Sequence, residues 1–179
     1  MSKPICTVMV GLPAMGKSTR VRDMSTIDPD VFVYSTDNIL ERIAKFLGKT
    51  YDEVFEKHIK SATAEADIDL AYAIKERQDI IWDQTTLGVK KRAKIINRMR
   101  QAGYQVRCEC IVPPASDYSG DKEDWAQRLA NRPGKTIPQH ILSNMIESFV
   151  MPTADEGFDM ITFYDMHGAL LGIDYAEPA

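Results

Sequence analysis

The chain has 179 residues, 44% of them hydrophobic and 27% charged, a length and balance that suit one domain with a real core, expected here over residues 1–179. Its net charge of −4 argues against broad, non-specific nucleic-acid binding, which needs a basic face. No apolar run approaches the ~20 residues that span a bilayer and Ile5–Val10 is too short for a signal peptide, so no membrane association is expected and the compartment expected is the cytoplasm.

In chain order, Ile5–Val10 reads as a first strand. It enters a glycine-containing loop, and a helix follows from near Lys17 to just before Ile27-Asp28-Pro29. Val31–Ser35 is a short β-rich run. A helix then spans about Asn38 to Leu47, stopped by Gly48. Thr50-x-x-Glu53 is a capping box. It opens a long helix to about Glu76, with Phe55, Ile59, Ala62, Ala66, Leu70 and Ala73 at helical spacing. Asp79–Trp82 is the next strand, ending in Asp83. A helix over Val89–Ala102 closes at Gly103, and a strand over Gln105–Val112 leads into Pro113-Pro114.

Glu123–Asn131 reads as a helix stopped by Pro133-Gly134, and Pro138 suits the first turn of another running to about Val150. Met160–Tyr164 and Ala169–Ile173 flank a turn with His167 and Gly168, the pattern of an edge hairpin. Strands alternating with helices imply an α/β fold with a central, mainly parallel sheet flanked by helices. The three cysteines, Cys6, Cys108 and Cys110, are odd in number and form no C-x-x-C pair; they read as buried reduced thiols. Lys90, Lys91, Arg92, Lys94, Arg98 and Arg100 read as a solvated basic helix face, with phosphate guidance as the alternative.

The residues between the first strand and its helix are Gly11-Leu12-Pro13-Ala14-Met15-Gly16-Lys17-Ser18-Thr19. They satisfy G-x-x-x-x-G-K-[S/T] between an apolar strand and a helix pattern. Glycines let the backbone fold around phosphate oxygens. Loop amides and a helix N-terminus supply positive partial charge. Lys17 is then expected to reach the β- and γ-phosphates of ATP, and the Ser18 hydroxyl to ligate Mg²⁺. ATPases, GTPases and kinases share this loop. The guanine-reading N-K-x-D motif is absent, which weakens the GTPase reading.

Asp37 follows the second strand, where a carboxylate can face the γ-phosphate and accept the proton of an attacking hydroxyl; the competing role is a helix cap. Asp83 closes the next strand at the sheet end that faces ligands in open α/β folds. Thr85 and Thr86 come just after it. These three, with Arg42, are candidate acceptor contacts; an Asx turn at Asp83 and a solvated arginine at 42 are the alternatives. Residues 124–138 place Arg128 and Arg132 four apart on one helix face. Arg132 stands beside the hinge-like Pro133-Gly134, and Lys135 follows. This marks a helical lid over about 121–137, whose arginines would meet the transferring phosphoryl group. A solvated helix end is the other reading.

Taken together, GLPAMGKST, STDN, IIWDQTT and RLANRPGKTIP resemble the 5′-kinase domain of phage polynucleotide kinase, within the P-loop kinases related to adenylate kinase. The resemblance covers nearly the whole chain. It implies a P-loop kinase fold and ATP-dependent phosphorylation of a 5′-hydroxyl on RNA or DNA during repair. It also implies Lys17 and Ser18 on ATP-Mg²⁺, Asp37 as base, Asp83 ordering acceptor and lid, and Arg128 and Arg132 as lid arginines. The family pattern carries an arginine before the base and another three residues after it. Here those positions hold Thr36 and Leu40. Two other functions compete: a kinase of a nucleoside, modified base or other small hydroxyl metabolite, and a non-catalytic nucleotide-binding switch. No obligate protein partner is evident.

Overall fold

A computed structural model describes residues 3–114 and 119–176 of the chain. Its most apolar early run, Ile5–Val10 (β1), lies inside a six-stranded sheet. The other strands are β2 (Phe32–Tyr34), β3 (Ile80–Trp82), β4 (Gln105–Ile111), β5 (Met160–Tyr164) and β6 (Leu170–Tyr175). The order across the sheet is β2-β3-β1-β4-β5-β6. Strands β1 to β5 pair in parallel, and β6 turns back antiparallel along β5 as the expected edge hairpin. A parallel strand covered on both faces is apolar on both, and in β1 the run Val8–Val10 is fully buried.

The side chains of β1 divide between two cores. Cys6, Val8 and Val10 enter the larger one, and Met9 enters a smaller one with Val21 and Ile81. Helix α1 (Lys17–Ile27) covers the Met9 face. The other face is covered by α2 (Thr36–Leu47), α3 (Tyr51–Lys75) and α4 (Val89–Gln101), which contribute Leu40, Leu70 and Met99. The stripe expected along α3 is the one it buries: Ala62, Ala66, Leu70 and Ala73, joined by Val54. Phe55, taken as part of that stripe, is 39% exposed. The capping box forms in both directions between Thr50 and Glu53. After the sheet's fourth strand come α5 (Ser119–Ala130) and α6 (Gln139–Glu147). Pro138 is the cap of α6 rather than part of its first turn.

Because β1 lies between β3 and β4, the chain reverses its direction of travel across the sheet there. Open α/β sheets bind ligands outside the carboxyl end of such a strand, which here is the glycine loop.

The basic run of 90–100 does not form one solvated face. Arg92 is fully buried. Its guanidinium donates to both carboxylate oxygens of Glu156, at 2.7 Å each, and to the carbonyls of Leu87 (2.8 Å) and Thr86 (3.2 Å). A buried guanidinium is tolerated only with such full pairing. Here it ties α4 to the chain leaving β3. Arg98 pairs with Asp67 at 3.4 Å, and Arg100 bonds the Gly157 carbonyl at 2.7 Å and Asp159 at 3.0 Å. All three cysteines are buried and unpaired; burial pushes the Cys6 thiol up to about 12. Among the described residues, no helix is long and apolar enough to cross a membrane.

Candidate active site

The glycine loop is shaped by what cannot be added to it. Gly11 has φ +150°, and a Cβ there would lie 3.1 Å from the Ile111 carbonyl oxygen and 3.2 Å from the Ile111 Cβ. Ala14 sits at φ 60°, a left-handed conformation that costs an L-residue roughly 1–2 kcal/mol and is retained at sites that need the shape. Leu12 and Met15 anchor the loop in a small core with Leu87, Ile111 and Met166. Gly16 is the N-cap of α1, and no side chain caps it. The positive end of the helix is therefore left for an anion. Ser18 and Thr19 are exposed in its first turn.

Lys17 curls back over the loop. Its Nζ donates to the carbonyls of Gly11 at 2.7 Å and Leu12 at 2.8 Å. Burial pushes the ammonium down to about 8; the Asp83 carboxylate opposes that shift and the Arg132 charge adds to it. A cradle without room for a Cβ, an uncapped helix end and a lysine folded across both suit a polyphosphate with its Mg²⁺. Ser18 presents an exposed hydroxyl in the same first turn.

On the acceptor side, Ser35 is the N-cap of α2 and accepts from the Asn38 N–H at 3.4 Å. Asp37 is therefore not spent on capping. Tyr51 Oη donates to Asp37 Oδ1 at 2.7 Å, and Lys135 Nζ donates to Asp37 Oδ2 at 3.2 Å and Glu41 Oε1 at 2.6 Å. Asp83 is half-buried beyond the end of β3, its N–H donating to the Tyr34 carbonyl at 3.0 Å. Burial lifts its carboxyl above the ordinary range, Lys17 opposes that, and Asp37 adds to it. Lys17, Asp37 and Asp83 thus share one electrostatic neighbourhood. Gln84 Nε2 donates to Thr36 Oγ1 at 2.7 Å, and Thr85 is exposed nearby in sequence.

Two expected acceptor contacts are not brought to the site. Thr86 is 1% exposed and donates its hydroxyl to the Met9 carbonyl. It stitches the loop after β3 to β1, because a buried hydroxyl must find a partner. Arg42 lies on the outer side of α2 and pairs with Glu65 of α3.

Segment 121–137, the expected lid, rests on the loop and on α3. Trp125 Nε1 donates to the Pro13 carbonyl at 2.8 Å. Arg128 is held by the Met166 carbonyl and Asp124, both at 2.8 Å, with His167 Nδ1 at 3.3 Å. It fastens α5 to the β5–β6 turn. Arg132, half-buried, lines a cavity of about 730 Å³ with Leu12, Trp125 and Lys135. Its charge acts on both Lys17 and Tyr51. The following turn docks on the start of α3. There the Asp52 N–H donates to the Gly134 carbonyl at 3.0 Å, and the Thr136 N–H donates to Asp52 Oδ2 at 2.8 Å.

Tyr51, Asp52 and Glu41 were not singled out from the sequence. The Thr50–Glu53 box marks where α3 begins. Nothing local to it says that this first turn faces a carboxylate 14 residues upstream.

A family model described as an AAA domain matches residues 7–152. Three solved structures with similar folds come from different settings. One belongs to the PezAT chromosomal toxin–antitoxin system of Streptococcus pneumoniae: 14% identity, 97% of this chain, 72% of that chain and a TM-score of 0.58. One belongs to the Pnkp1/Rnl/Hen1 RNA repair complex: 17% identity, 83% of this chain, 44% of that chain and a TM-score of 0.60. The third is a fungal RNA kinase: 13% identity, 93% of this chain, 76% of that chain and a TM-score of 0.57. The chain thus spans less than half of the RNA repair protein it matches. Likeness at these identities establishes the α/β P-loop kinase fold and leaves chemistry to the site.

Proposed function

The chain belongs to the family described as an AAA domain, and on that premise we propose that it is a phosphotransferase that moves the γ-phosphate of ATP to an alcohol, with a polynucleotide 5′-hydroxyl as first acceptor. The observation that carries the reading is Asp37. It is free of its helix cap, shares a neighbourhood with Lys17, and is bonded to Lys135 of the 121–137 segment. A nucleotide-binding switch needs no hydroxyl-activating base joined to a lid. A polynucleotide acceptor, RNA or DNA, is favoured by the motif resemblance, and the fold is shared with a fungal RNA kinase.

The roles follow from the residues. The N–H groups of the 11–18 loop, Pro13 having none, and the α1 N-terminus bind phosphate oxygens, and Lys17 exchanges its two carbonyl partners for them. Ser18 would hold Mg²⁺, which would supply charge neutralisation at the phosphates. Asp37 accepts the acceptor's proton, and Arg132 stabilises the negative charge spread over the transferring group. Segment 121–137 acts as the lid that excludes water.

A second acceptor class has its own support. Thr36 and Leu40, where the resembled family has arginines, are buried, and Arg42 is paired with Glu65. The acceptor side instead gathers Asp37, Glu41 and Asp83 around Lys135. That composition favours a small, uncharged hydroxyl compound such as a nucleoside. Incubation with γ-labelled ATP and 5′-hydroxyl RNA, 5′-hydroxyl DNA or free nucleosides separates the two. Label on the oligonucleotide 5′ end, lost in Lys17→Ala, is the expected result. Label only on nucleosides transfers the reading to the second class. ATP binding with no acceptor labelled supports the switch.

A further inference from the structure

Three contacts converge on Tyr51. Its hydroxyl donates to Asp37 Oδ1 at 2.7 Å. Lys135 Nζ stands 4.3 Å from the centroid of its ring, and the Phe55 ring packs at 5.6 Å between centroids. Its backbone is the first residue of α3, fixed by the Thr50–Glu53 box. The next residue, Asp52, grips the turn at Gly134 and Thr136. One helical turn therefore holds Asp37 on one side and the lid segment on the other.

The chemistry is one-directional. Burial and the adjacent Asp37 carboxylate raise the Tyr51 hydroxyl above its ordinary value, so Tyr51 keeps its proton and stays a donor. Each carboxylate oxygen has two lone-pair sites. Tyr51 takes one on Oδ1 and Lys135 one on Oδ2, which leaves one open on each. The torsion that turns an aspartate carboxylate is otherwise soft, and two donors from different elements fix it.

We propose that Tyr51 is a positioning residue for phosphoryl transfer: it sets the plane of the Asp37 carboxylate, and docking of the lid turn on α3 completes that setting through Lys135. The proposal rests on Asp37 as the base. In the step, the acceptor O–H gives its proton to an open lone pair of Asp37 while its oxygen bonds to the γ-phosphorus. The bond from that phosphorus to the β,γ-bridging oxygen breaks, and ADP leaves with the electron pair. The proton then passes from Asp37 to water. Tyr51 exchanges no proton.

Tyr51→Phe removes one oxygen and keeps the ring beneath Lys135. Turnover that depends on Lys17 is measured with a 5′-hydroxyl oligonucleotide and, in parallel, with water as acceptor. The expected result is a fall in kcat of about tenfold or more, with unchanged KM for ATP and an unchanged thermal midpoint. In an Asp37→Asn background the same substitution leaves the residual rate unchanged, since the base that Tyr51 orients is gone. Lys135→Met, which keeps the stem and removes the second donor, behaves likewise.

An unaltered kcat overturns the proposal, as does an equal loss in the Asp37→Asn background or a loss matched by a lowered midpoint. If Asp37→Asn keeps the parent rate, the base assignment falls first. If Asp37→Asn is inactive and Tyr51→Phe fully active, only the positioning role falls. Absence of any Lys17-dependent turnover removes both.

Discussion

Replacing Gly134 by alanine tests whether the turn of the 121–137 segment docks on α3. Gly134 has φ +67°, and a Cβ built there lies 2.7 Å from Thr50 Cβ and 3.0 Å from Thr50 Cγ2. The left-handed conformation costs alanine about 1–2 kcal/mol. That cost belongs to the turn whether docked or free, so it cancels from the docking equilibrium. The clash exists only in the docked state. Thr50 cannot retreat cheaply, because its backbone and side chain are held in the capping box with Glu53. Overpacking of this kind costs about 1–3 kcal/mol, which at 1.4 kcal/mol per decade is roughly a 5- to 150-fold shift toward the undocked state. Hydrogen exchange reads it directly. The Asp52 N–H belongs to a first turn with no intrahelical acceptor and is protected by the Gly134 carbonyl, while the Thr136 N–H is protected by Asp52. Both amides exchange faster by that factor in Gly134→Ala, and amides of β1 keep their rates. Unchanged exchange at Asp52 and Thr136 refutes the docking geometry. Equal acceleration in β1 replaces local opening with general destabilisation.

Other consequences can be measured separately. Lys17 is held down to about 8 against an ordinary 10.5, so in the free chain it loses its charge as pH rises through about 8. ATP affinity, followed by titration calorimetry between pH 6.5 and 9.5, is then level below that point and declines by up to roughly tenfold per unit above it; Lys17→Arg abolishes the decline, and a level wild-type profile contradicts the assignment. The same group contributes the opposite trend to stability. Between about 8 and 10.5 the unfolded chain binds the extra proton, so this contribution to stability increases with pH. Arg92→Leu leaves Glu156 buried without its partner and costs about 3–5 kcal/mol in denaturant unfolding, most of it recovered by adding Glu156→Leu; no recovery would assign the loss to packing alone. Arg132→Ala lowers turnover by about 10³-fold if it meets the transferring phosphoryl group, whereas Arg128→Ala, already committed to Met166, Asp124 and His167, costs far less. Equal losses would return both arginines to one role.

Much of this site was legible because its parts are local. The loop at 11–19 is a contiguous pattern set between a short apolar strand and a polar helix. Likewise Thr50 and Glu53 are three apart and announce a helix start by chemistry alone. The errors arose where a residue's partner is distant in sequence. Arg92 reads as one charge in a run of six, and only the arrival of Glu156, 64 positions later, makes its burial tolerable. Thr86 follows a strand end like an acceptor residue, but the Met9 carbonyl 77 positions earlier claims its hydroxyl. Asp37 is the instructive case. Its neighbouring residues alone admit both roles, cap and base, and the loop and arginines elsewhere in the chain favour the base; Ser35 is the cap, because the helix starts two residues earlier than the sequence suggests. Once the cap is satisfied, an acidic residue in the first turn is free to face outward. The partners it then meets come from α3 and from the turn at 135. The carboxylate is thus addressed by two separate segments of chain, and only folding brings them within hydrogen-bond reach.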